Sequence, residues 1–72
     1  MYSDDITYFF EHGNHVEIAV PHMILERPFF YYGYIKRLTE EIVTLEQDQH
    51  KGIVDIPIKD IIHVKSKNWE VS

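Results

Sequence analysis

The densest chemistry in the chain is aromatic: Phe29, Phe30, Tyr31, Tyr32 and Tyr34 stand within six residues, followed at once by Lys36 and Arg37. Rings of this kind can stack on single-stranded bases, each worth about 1 to 3 kcal/mol, and neighbouring cations neutralise phosphate. The same run also reads as a strand buried by the core on one face and by a neighbour on the other, with tyrosine hydroxyls at the rim. Side chains alternate along a strand, so Phe29, Tyr31 and Ile35 share one face while Phe30, Tyr32 and Tyr34 share the other. Only one of these sets can be core, and the other needs a second explanation such as an interface.

Other residue types point to less. His12, His15 and His22 offer imidazoles, but their spacing matches no established metal site and the chain has no cysteine to complete one, so neither a metal nor another cofactor is expected. Serines occur only at positions 3, 66 and 72. With no Gly-rich phosphate loop and no Ser-His-Asp order, the sequence does not read as an enzyme. The carboxylates sit mostly in polar loops, where nothing suggests a raised pKa.

Charge narrows the choice of partner. A net charge of −5 argues against an indiscriminate polyanion binder, because such binding is driven by Lys and Arg displacing counterions from phosphate. Six of the seven basic residues (Lys36, Arg37, Lys51, Lys59, Lys65, Lys67) nevertheless follow Gly33, which permits a cationic rim on an acidic body. The start of the chain lacks the basic and apolar segments of a signal peptide, and no apolar stretch approaches the roughly 18 to 20 residues that cross a bilayer. A soluble, cytoplasmic protein without membrane partners is expected.

The elements that would position these residues are short. At 72 residues the chain reads as a single domain, 1–72, with an N-terminal helix (1–14), a barrel (15–65) and a tail (66–72). Ser3, Asp4 and Asp5 form a helix start and Gly13-Asn14 a stop; the alternation of Ile6, Tyr8 and Phe10 offers a strand instead, and the capping pattern favours the helix. Val16, Ile18 and Val20 alternate with Glu17 and Ala19 in a first strand ended by Pro21. A short apolar piece, Met23 to Leu25, follows and is closed by Pro28. Residues 29 to 38 are the most β-prone segment, and Gly33 within them suggests a bulge or sharp bend. Thr39-Glu40-Glu41 connects to a strand from Ile42 to Glu46. A polar loop runs to Gly52, Ile53 to Ile56 form a strand, Pro57 to Asp60 a turn, and Ile61 to Lys65 a last strand. Five short strands with brief connections predict an all-β fold, a small five-stranded SH3-like barrel. A domain this small buries only about 60% of its unfolded surface, and without disulfides oligomerisation is the remaining common support.

The stretch from Gly33 to Val64 resembles the core of the Sm-like family, which includes the Sm and Lsm proteins and bacterial Hfq. Gly33, Ile35 and Leu38 match the glycine and apolar positions of its second strand, and Ile42 and Leu45 match its third. The segment Ile53 to Val64 matches its last two strands in length and pattern. Thr39 stands where the family has a strand-closing aspartate, Val43 where Sm and Lsm proteins have a base-contacting asparagine, and Ile56-Pro57 where the turn pairs of Sm and Hfq belong. Some divergent, phage-encoded members lack the standard motifs in the same way. The resemblance implies a short N-terminal helix before a strongly bent barrel, and a homo-oligomeric ring of about five to seven copies. It implies binding of single-stranded RNA or DNA, with Lys36, Arg37 and Lys59 on phosphate, Thr39 hydrogen-bonding near the pore, and Tyr34 stacking. A ring or adaptor that contacts only proteins is the alternative.

Overall fold

Helix α1 (Ser3–His12) begins the computed structural model, which describes residues 3–22, 24 and 26–66. Asp4 and Asp5 lie in its first turn, where carboxylates favour the positive end of the helix dipole. Gly13, at φ +65°, ends it and carries an N–H bonded to the Phe10 carbonyl. The helix reading of the sequence thus holds over the strand reading.

Five strands follow: β1 (His15–Val20), β2 (Phe29–Leu38), β3 (Ile42–Gln47), β4 (Ile53–Pro57) and β5 (His63–Ser66). They form one open antiparallel sheet in the order β4-β3-β2-β1-β5. Single 3₁₀ turns, Asp48–His50 and Ile58–Asp60, occupy the two connections on either side of β4. The last strand therefore starts two residues later than the apolar run Ile61-Ile62 suggests. Ile61 is instead a buried anchor, and its N–H donates to the Ile58 carbonyl. The apolar piece at 23–25 lies outside the described residues except for Ile24, which is exposed, and the tail beyond Ser66 lies outside them too.

The sheet is strongly curled. β4 and β5 are opposite edges, four strand spacings apart, which is about 19 Å in a flat sheet. The five residues 58–62 that join them include a 3₁₀ turn and span only about 13 Å. The two edges must therefore curve toward each other, and Ile56 of β4 and Val64 of β5 do meet in one core with Val16, Ile18, Ile35, Val43 and Leu45.

Ile6 of α1 closes that core, fully buried, with Phe9 packed beside it. Ile6→Ala should cost about 2 to 5 kcal/mol, the range for a large aliphatic side chain lost from a core that cannot collapse around the gap. Urea unfolding followed by circular dichroism measures it; an unchanged midpoint would mean that α1 does not close the core.

The β2 register explains how both ends of this long strand serve the core. Ile35 faces Leu45 and Arg37 faces Thr44, so Lys36 is an extra residue, a bulge. A bulge shifts strand phase by one. It turns Leu38 inward opposite Val43, whereas strict alternation from Ile35 would point Leu38 to the outer face. The sequence placed this irregularity at Gly33. Gly33 instead allows close backbone approach: a Cβ there would collide with the Glu46 carbonyl oxygen and lie 3.0 Å from Gln47 Cα.

Candidate nucleic-acid interface

Tyr34 projects from the outer face of β2 and is 48% exposed, with its ring 5.0 Å from that of His15. His15 Nε2 donates to Asp48 Oδ2 at 2.7 Å, tying the start of β1 to the loop after β3. That loop includes Gln49 and His50, both in the left-handed region, and Gly52 at φ +95°. Tyr34 lines an open groove with Glu46, Asp48 and His50. The groove places two carboxylates beside the ring proposed for stacking, Asp48 bonded to His15 and Glu46 facing Lys36.

The three candidate cations are not equivalent. Lys36 Nζ lies 3.3 Å from Glu46 Oε1, with both side chains about half exposed, so much of its charge is answered within the chain. Arg37 is exposed on the outer face opposite Thr44, whose hydroxyl donates to Asp55 Oδ1 at 2.8 Å. Lys59 is exposed in the turn after β4. Among the described residues neither Arg37 nor Lys59 has an ion-pair partner.

Thr39 has a local task. Its hydroxyl oxygen accepts from the N–H groups of Glu41 (3.2 Å) and Ile42 (3.0 Å), closing the turn between β2 and β3. The Ile58 N–H donates to the Glu41 carbonyl at 2.9 Å, joining this turn to the one after β4. Thr39 and Lys59 therefore sit at the same end of the molecule, in the company of Glu40, Glu41 and Asp60. Tyr34 is five residues back along β2, roughly 15 Å away. The five candidates form no single patch.

Two open grooves, of about 440 and 620 Å³, flank that end. One is lined by Ile6, Thr7, Leu38, Thr39, Glu40 and Ile58, and the other by Glu40, Glu41, Ile42, Pro57, Ile58 and Lys59. They share Glu40 and Ile58.

The aromatic run divides by alternation, with Tyr31 packed against the core and Phe30, Tyr32 and Tyr34 outward, but Phe29, on the Tyr31 face at the start of the strand, is 42% exposed. Within one chain the outer set stays 37 to 48% exposed, so the burial expected from a neighbour is not supplied by the described residues. Sequence reasoning passed over Glu17. It points outward from β1 yet is only 8% exposed, and it accepts a hydrogen bond from His63 Nε2 at 3.0 Å, with Lys65 Nζ at 3.8 Å. Its alternation with Val16 and Ile18 was visible. Its partners depend on the pairing of β1 with β5, which brings together residues 46 and 48 positions apart.

Comparison with protein-family models, with curated proteins and with solved structures finds no match to this chain. No helix among the described residues is long and apolar enough to cross a membrane.

Proposed function

We propose that this chain is an Sm-like protomer, a small curled barrel that joins edge to edge into a homo-oligomeric ring, and that the ring works by contacting other proteins. The strand order carries the reading. It leaves β4 and β5 as the two edges of one sheet, with Ile53 64% exposed on the first and Ile62 42% exposed just before the second. An apolar edge is a template for another strand. Pairing β4 of one copy with β5 of the next covers both edges at once, and repetition of that heterologous contact closes a ring. The short helix before five strands and the glycine inside the second strand agree with the Sm-like resemblance.

Protein contact rather than nucleic-acid contact follows from charge. Lys36 is answered by Glu46, and Glu40 and Glu41 line one groove together with Lys59 at the end where the resemblance would put the pore. Light scattering should report about five to seven copies at micromolar concentration, and a stable monomer would overturn the ring. A panel of single-stranded RNA and DNA oligonucleotides at low salt should show no binding.

A second reading, a ring that binds single-stranded RNA or DNA, is favoured by the exposed Arg37 and Lys59. Its signature is distinct. Affinity would fall with salt at a log–log slope of about −0.7 per phosphate contact, and Arg37→Ala or Lys59→Ala would flatten that slope for all sequences alike.

A further inference from the structure

We infer that the end built from the turn between β2 and β3 and the turn after β4 docks a basic, amphipathic peptide segment of a partner protein. The inference rests on the protein-contact reading and names the chemistry of the partner. The floor is apolar. Leu38 and Ile58 are half-buried, packed against the core on one side and lining a groove on the other, and half-buried Ile42 lines the second groove. The two grooves share Ile58 as a ridge, and their volumes fall within the roughly 300 to 1,000 Å³ usual for binding clefts.

The rim selects the occupant. Glu40 and Glu41 are exposed at the tip of the turn, while Lys59 is the sole cation lining either groove among the described residues. A phosphate backbone entering here would meet carboxylates, and an acidic peptide would meet the same repulsion. A segment that places one aliphatic side chain in each groove and Lys or Arg against Glu40 and Glu41 satisfies both floor and rim. The site is also held in shape before any partner arrives. The Thr39 hydroxyl accepts two backbone N–H groups within the turn, and the Ile58 N–H fixes the second turn to the first, so little ordering cost falls on binding.

Fluorescence anisotropy on the full chain tests this with two labelled ten-residue peptides that share their leucines and differ only in carrying Lys or Glu between them. The Lys peptide should bind at least about tenfold more tightly than the Glu peptide at physiological salt, and Glu40→Lys/Glu41→Lys should remove at least about tenfold of that affinity. Thr7→Arg, an exposed change in the first groove, should weaken binding as well and serves if the double variant misfolds. Glu26→Lys/Glu46→Lys makes the same change in net charge elsewhere and should alter affinity by no more than about twofold. Equal binding of the two peptides overturns the inference, as does equal loss in both double variants or a Thr7→Arg variant that binds like the parent. Light scattering on the same samples separates the two proposals. An assembled protein that ignores both peptides removes this site and leaves the ring, whereas a monomer that binds the Lys peptide as described removes the ring and leaves the site.

Discussion

Gly33→Ala is expected to destabilise the fold by about 3 kcal/mol or more, a large share of the total stability of about 4 to 10 kcal/mol for a domain of this size. Overpacking a core usually costs about 1 to 3 kcal/mol because side chains yield. Here the obstacle is backbone: the added methyl would strike the Glu46 carbonyl and lie 2.9 Å from its carbon. Relief requires β3 to move away from β2, which also disturbs Leu45 and Val43, both fully buried in the core. The other glycines provide the contrast. Gly13 and Gly52 have open space at the Cβ position, and only their positive φ values resist substitution, at about 1 kcal/mol each. Urea denaturation of the three alanine variants measures this order. A Gly33→Ala protein as stable as Gly52→Ala would show that β2 and β3 do not approach so closely.

That glycine also shows what the sequence could and could not convey. Its position in the middle of an aromatic strand marked a backbone peculiarity, but two causes fit a glycine in a strand, a bulge and a close approach. The evidence for the bulge lay elsewhere, in the spacing of Ile35 and Leu38. Three residues apart is an odd step, and one strand cannot place both on the same face without an extra residue. The elements themselves were legible because alternation and capping are local. Val16, Ile18 and Val20 announce a strand from its own residues, and Ser3-Asp4-Asp5 with Gly13 announces a helix.

The candidate site was less legible, because charge partners and distances depend on register. Lys36 and Arg37 are adjacent in sequence, yet the bulge sends them into different surroundings, Lys36 onto Glu46 and Arg37 opposite Thr44. The resemblance placed Thr39 near a pore, hydrogen-bonding there. Its hydroxyl is engaged by the turn that it closes, as a threonine preceding two connecting residues often is. Glu40 and Glu41 passed as connection, and only the Ile58–Glu41 bond shows that Ile58 lies beside them.

Assembly gives the second large effect. If the chain forms the proposed ring, Ile53→Lys combined with Ile62→Lys is expected to convert it into a monomer at micromolar concentration while leaving the fold intact. Both side chains are exposed, at 64% and 42%, so their replacement within one chain should change stability by no more than about 0.5 kcal/mol each. In a ring, Ile53 would lie on the edge joined to the next copy and Ile62 beside the receiving edge. Each interface would then have to desolvate two lysines, and charge on the edge is the device by which natural edge strands refuse pairing. Loss at each interface is repeated around the ring, so the effect on assembly is cooperative and far exceeds the effect on folding. Light scattering reports the mass, and circular dichroism with urea unfolding reports whether the chain remains folded. A folded double variant that keeps the mass of the parent protein would place the contact on some other surface, and the outer aromatic row of Phe30, Tyr32 and Tyr34 would be the next face to test.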